Sequence, residues 1–255
     1  MIQTTKTRIV VLAHLFIIAG LIHAQRASDT VRMRDHTTQF HPKQLIVPAS
    51  LVAVGSWGTC NNGFQKVNHS IRNTMKAWRN NQYFHADDYI QYLPVAFNLA
   101  LGVLGVPAKH TFKERLAVTA TAYIAMGMFV GCIKIAADVR RPDGSALNSF
   151  PSGHTATAFV GAELVRTEYG LGYGIAAYSL ACGVAFLRLY NERHWLSDVI
   201  AGAGFGIVSV RIGYWLLPFN QKLFGWDKKE SPLVLTRPFY DPRQKAIGAA
   251  LAVYL

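Results

Sequence analysis

The chain has 255 residues, of which 51% are hydrophobic and only 16% charged, against roughly 25% charged in ordinary soluble domains. That composition excludes an intrinsically disordered chain and a nucleic-acid-binding tail protein. Twenty-six Lys and Arg against fourteen Asp and Glu leave a net charge of +12, which favours anionic partners: nucleic acid, anionic lipid or a phosphate substrate.

At the N-terminus, Lys6 and Arg8 precede an apolar stretch, Ile9 to Ile22, broken only by His14, and polar sequence resumes at Gln25. The pattern is that of a secretory signal peptide over residues 1–24, cut after Ala24; the stretch is too short for a comfortable membrane span. A polar segment, 25–43, follows. Cys60, Cys132 and Cys182 have neither zinc nor CxxC spacing and are expected as buried thiols.

Four long blocks then lack Asp, Glu, Lys and Arg: Gln44 to Gln65, Tyr89 to Ala108, Leu116 to Ile133 and Tyr169 to Leu187. Each approaches the roughly 20 residues a helix needs to cross hydrocarbon. Thr155 to Val165, containing Glu163, and Val199 to Phe219, containing Arg211, follow the same trend. Charge inside a span is costly, so these two helices should turn Glu163 and Arg211 toward protein or an interface. The expected fold is all-α: a polytopic membrane helical bundle of five or six spans over residues 44–217, followed by a tail, 218–255. A soluble helical globule with buried helices is the alternative. Asn68 to Asn80 places Ile71, Met75 and Trp78 at helical spacing among Arg72, Lys76 and Arg79, suiting a surface helix at a membrane interface or an ordinary amphipathic connector. The tail ends in the apolar run Ala246 to Leu255, and a hairpin turning near Asp241, Pro242 and Arg243 would pair it.

Three polar clusters lie at the ends of apolar helices. In KIAADVRRP, Lys134 and Arg141 stand seven apart, two helical turns if the helix persists, and Pro142 forces its exit. Two cations there suit an anion, or simply a positive flank. In FPSGH, Pro151, Ser152 and Gly153 begin a helix whose free N–H groups can cradle phosphate, with His154 in its first turn. In LRLYNERHWLSD, His194 and Asp198 are four apart. On one helix they would share a face, and the carboxylate would fix the imidazole tautomer and leave the other nitrogen nucleophilic. The glycines of GAGFG, which no strand precedes, read as close helix packing rather than a dinucleotide fingerprint.

Together, Lys134 to Pro142, Pro151 to His154 and Arg188 to Asp198 resemble, in order and spacing, the signature of the type 2 phosphatidic acid phosphatase and vanadium haloperoxidase superfamily. The surrounding helices look like its bacterial membrane lipid phosphatase branch. One departure is Leu187, where the family usually has Ser; altered packing beside Arg188 is expected, without loss of activity. The resemblance implies that His194 attacks phosphorus to form a phosphohistidine, with Asp198 orienting it. It implies that Lys134, Arg141 and Arg188 neutralise the phosphoryl oxygens, aided by the Ser152 and Gly153 backbone, and that His154 protonates the leaving oxygen and later activates water. It implies no metal and no cofactor. The expected partners are a membrane and a lipid phosphate, namely undecaprenyl diphosphate, phosphatidylglycerol phosphate, phosphatidate or a lipid A phosphate, and not nucleic acid.

The loop Pro107 to Arg115 carries Lys109, Lys113 and Arg115 against Glu114, which by the positive-inside rule is cytoplasmic. The site would then face the periplasm from the inner membrane, with Gln44 to Gln65 dipping into the membrane or lying along it. The rival expectations are a soluble periplasmic acid phosphatase, a vanadate-dependent haloperoxidase and a non-catalytic membrane protein.

Overall fold

A computed structural model describes residues 37–226 and the backbone of two strands, 233–241 and 246–254. The expected signal peptide lies outside the described residues. Contacts divide the chain at Leu217 and Pro218 into two units.

The first unit is all-α. Its helices are α1 (Lys43–Cys60), α2 (Asn62–Arg79), α3 (Asp87–Ile90), α4 (Leu93–Val103), α5 (Phe112–Ala137), α6 (Gly153–Tyr169), α7 (Leu171–Tyr190) and α8 (Leu196–Trp215). A short helix, α9 (Leu217–Leu223), follows. The second unit carries an antiparallel ribbon of β1 (Leu233–Asp241) and β2 (Ala246–Tyr254), in register from Leu233 opposite Tyr254 to Asp241 opposite Ala246.

Among the described residues, three helices, α5, α7 and α8, are long and apolar enough to cross a membrane. At 1.5 Å per residue, the 26 residues of α5 extend about 39 Å. The block Tyr89 to Ala108 does not make one span. Pro94 starts α4 after a break at residues 91–92, and α4 stops after 11 residues, about 16 Å, near Gly105 (φ 86°) and Pro107. The uncharged run overstated the helix because Pro and Gly, not charge, end it.

Helix α6 is buried on two faces. Ala156, Val160 and Leu164 pack with Val118, Ala122, Met126 and Val130 of α5 and Val210 and Tyr214 of α8. Ala158, Ala162, Val165 and Tyr169 pack with Ala177, Ala181 and Val184 of α7. Helix α8 approaches its neighbours at backbone distance through the GAGFG segment. A Cβ on Gly202 would lie 2.5 Å from Ser152 O, and one on Gly206 2.6 Å from Ala156 O. The two in-helix charges pair with each other, as their cost in hydrocarbon requires: Arg211 bonds Glu163, whose carboxylate also accepts from Arg166 Nε at 2.6 Å and the Tyr178 hydroxyl at 2.6 Å.

Two expectations are corrected. The three thiols are exposed, not buried, because Cys60, Cys132 and Cys182 lie on outward helix faces. Arg115 is not a loop charge; it is buried at the start of α5 and donates to Asn98 O and the Tyr169 hydroxyl. Only Lys109 and Lys113 then remain as cations of the loop that was to mark the cytoplasmic side.

Candidate active site

The antiparallel run of α5 to α8 places the C-terminal ends of α5 and α7 beside the N-terminal ends of α6 and α8. All three sequence clusters occupy those ends. Lys134 sits in the last turn of α5, which stops at Asp138 in the left-handed conformation (φ 45°). The helix thus ends before Arg141, and the two cations are not joined by two helical turns. They meet through a loop residue instead: Lys134 Nζ donates to the backbone O of Asn148, and Arg141 Nε donates to its Oδ1 at 3.0 Å. Burial and the nearby Arg193 and Arg188 charges lower the Arg141 pKa.

Ser152 is the N-cap of α6, with Oγ accepting from Thr155 N at 3.4 Å. Its own backbone N–H is already committed to Asp198 O at 3.0 Å. It is therefore not a free phosphate donor, which corrects that expectation for Ser152. Gly153 stands at the first helical position, where backbone N–H groups have no partner within the helix.

His194 precedes α8 rather than lying on it, because the helix starts at Leu196. The His194–Asp198 pair is thus made across the helix N-terminus and not along one helical face. Asp198, at the third position of α8, is fully buried and bonds back to Trp195 N at 2.8 Å, while Ser149 Oγ donates to the same Oδ2. Its Oδ2 lies 3.5 Å from His194 Nδ1, close enough to feel the charge but too long for a formed hydrogen bond. Catalytic bonds of this type often tighten only when substrate binds. Burial drives the His194 pKa down to about 4, with Arg188 and Lys134 adding to the effect and Asp198 opposing it. His194 is therefore neutral at neutral pH.

Arg188, buried on the last turn of α7, bonds Asp87 and lies 3.7 Å from Asp88. His154 Nε2 pairs with Asp88 Oδ1 at 2.9 Å. Burial, then Arg188, lowers the His154 pKa, against the opposing pull of Asp88 and Asp87. Leu187, next to Arg188, is half-buried.

Several of these residues escape a motif reading. Asn148 and Ser149 hold the cations and Asp198, but they lie between clusters. Asp87 and Asp88 left a signal that could have been read: two adjacent acids, in a strongly basic chain, abutting an apolar block. Helix α2 also braces the His194 loop. Glu192, at φ 54°, accepts from Arg72 Nε at 2.9 Å and from Arg79 Nη2 at 2.5 Å. Asn68 exchanges two hydrogen bonds with Ser197, to Oγ at 3.1 Å and from N at 3.3 Å. Arg79, read as part of an interfacial face, is thus an interior residue. Asp87, Asp88 and His154 have ligand atoms within 4.8 Å of one another, but the Arg188 guanidinium already stands against both carboxylates, an unfavourable neighbour for a metal ion.

Comparison with known proteins decides the family. Residues 92–222, just over half of the chain, match the PAP2 superfamily. The chain belongs to the PAP2 superfamily. It is 38% identical over 139 residues to the lipid A 1-phosphatase of Porphyromonas gingivalis, a match covering 52% of this chain and 31% of that relative's length. Solved structures give TM-scores of 0.43 in two cases. LpxE of Aquifex aeolicus is 23% identical over 55% of this chain and 92% of its own. A PAP2-type phosphatidylglycerolphosphate phosphatase of Bacillus subtilis is 22% identical over 72% of this chain and 98% of its own.

Proposed function

We propose that this PAP2 protein is a metal-independent phosphatase that hydrolyses a lipid phosphate or diphosphate through a phosphohistidine on His194. One observation carries the reading. A buried, neutral imidazole with a carboxylate behind its Nδ1 stands at the helix ends that also carry Lys134, Arg141, Arg188 and the first turn of α6.

In this reading His194 Nε2 attacks phosphorus as the bond to the lipid alcohol breaks. Lys134, Arg141 and Arg188 balance the charge on the three equatorial oxygens, with the Gly153 N–H as a further donor. Asp198 orients His194 and stabilises its positive charge. His154 gives a proton to the leaving oxygen, then takes one from the water that cleaves the phosphohistidine and releases phosphate. The relative named a lipid A 1-phosphatase makes a lipid A phosphate the first substrate to test, followed by phosphatidate, phosphatidylglycerol phosphate and undecaprenyl diphosphate. In this reading the site lies at the periplasmic face of a bacterial inner membrane after removal of residues 1–24; because Tyr89 to Ala108 does not make a span, this requires α1 as well as α5 to cross the membrane.

The test is phosphate release from this lipid panel by purified membranes with EDTA present, comparing wild type with His194→Ala. Release that survives EDTA and vanishes in the variant is expected. No release by folded wild type from any lipid would overturn the proposal, as would release that survives the substitution or that EDTA abolishes.

A further inference from the structure

We propose that Asp88 is the positioning carboxylate of His154, so that the site holds two carboxylate–imidazole pairs of opposite sense. The inference rests on the phosphohistidine reading above and extends it to a residue outside the three motifs.

The geometry distinguishes the two imidazoles. Asp198 faces Nδ1 of His194, which leaves Nε2 for phosphorus. Asp88 binds Nε2 of His154 at 2.9 Å, which leaves Nδ1 for the leaving oxygen. Asp88 is not needed as the counter-ion of Arg188, because Asp87 fills that place. Asp87 is buried, bonds Arg188 directly and is itself held by Asn191 Nδ2 at 3.2 Å, whereas Asp88 stays 3.7 Å from the guanidinium. The Asp88 side chain is 49% exposed and that of His154 30%. The pair therefore lies at the open side of the site, while Asp87 and Arg188 form its floor.

The proton inventory closes. In the attacking complex His154 carries both ring protons, Nε2–H donated to Asp88 and Nδ1–H aimed at the lipid oxygen. When the phosphorus–oxygen bond breaks, the Nδ1 proton goes to that oxygen and the alcohol departs. His154 remains neutral with its proton on Nε2, held there by Asp88, so Nδ1 is a base. Water then attacks the phosphohistidine and its proton passes to Nδ1, which regenerates the starting imidazolium. Without the Asp88 acceptor, the neutral ring can place its proton on either nitrogen, and the tautomer with Nδ1–H cannot act as the base.

Dependence on the leaving group tests this. An alkyl or sugar alcohol needs a proton to depart, whereas nitrophenolate does not. For Asp88→Asn, kcat/KM on the lipid phosphate released fastest in the panel should fall about 10²-fold, the low end for loss of general acid–base catalysis. Its fall on p-nitrophenyl phosphate should be at least tenfold smaller. Because phosphohistidine hydrolysis still needs the base, the variant should show a pre-steady-state burst of nitrophenol. In a His154→Ala background, adding Asp88→Asn should change kcat/KM on the lipid by less than about twofold. Asp88→Glu, which keeps the carboxylate, should recover most of the lipid rate and guards against a folding defect in the Asn variant. Equal losses on both substrates, no loss on either, or additive effects of the two substitutions would each overturn the proposal. Failure of the underlying reading shows separately, as nitrophenol release by His194→Ala.

Discussion

Replacing Gly202 by Ala tests the claim that α8 and the Ser152 turn at the start of α6 are held together at backbone distance. The new Cβ would lie 2.5 Å from Ser152 O and 3.3 Å from Ser152 C, whereas real Cβ contacts essentially never fall under 3.0 Å. The turn and the helix must therefore part by about half an ångström or more, and neither side yields easily. Ser152 O accepts Ala156 N in the first turn of α6, and Ser152 N is bonded to Asp198 O on α8 itself. Overpacking of this kind costs roughly 1–3 kcal/mol. The displaced groups include the N–H of Gly153 and, through Asp198, His194. A misplacement of about 1 Å can lower a rate 10²-fold, so a fall in kcat of tenfold or more is expected, with KM less affected. Gly183→Ala on α7 is the control, because no atom lies within 4 Å of its Cβ; it should be neutral or stabilising by about 0.5–1 kcal/mol. Thermal denaturation in one detergent and turnover of the preferred lipid phosphate give both readouts. If Gly202→Ala matches Gly183→Ala in both, the packing argument is wrong.

Two further outcomes are expected. Glu163→Leu should destabilise the bundle by about 3–5 kcal/mol, since it strands the buried Arg211, whereas Arg211→Met should cost less because Glu163 keeps Arg166 and the Tyr178 hydroxyl, and the double substitution should cost less than the sum; additive losses in thermal denaturation would show that the pair does not act as a unit. The His194 pKa near 4, below its unfolded value of about 6.5, means that the unfolded chain binds the extra proton first as pH falls. That contribution is fully present above pH ~6.5 and is lost on acidification toward pH 4, by roughly 3 kcal/mol in total. His194→Gln should therefore flatten the decline of the melting temperature between pH 6.5 and 4.5, and an unchanged slope would contradict the burial of a neutral imidazole.

Family membership and most residues of the candidate site were legible along the chain because they fall in three short clusters of fixed spacing. Lys134, Arg141, Ser152, Gly153, His154, Arg188, His194 and Asp198 do converge at one end of α5 to α8. The cost of charge in hydrocarbon also required Glu163 and Arg211 to face protein, although only the packing of α6 against α8 showed that they meet each other. Lack of charge was a weaker guide to helix length, since Pro94 and Gly105 cut the Tyr89 to Ala108 block to an 11-residue helix.

What sequence by itself determined was the local chemistry: helices from apolar runs, a cap from Ser152, a close-packed face from the α8 glycines, and the proximity of the His194 imidazole to the Asp198 carboxylate. Tertiary structure alone decided which groups are free to act. It spent the Ser152 N–H on Asp198 O, buried Arg115 and Arg79, and brought Asn148, Ser149, Asp87 and Asp88 into the site. Those contacts join residues as far as 113 positions apart or bridge loops without periodicity, so no local pattern encodes them. They exist because antiparallel helices bring their ends together, and because buried polar groups favour a hydrogen-bond partner.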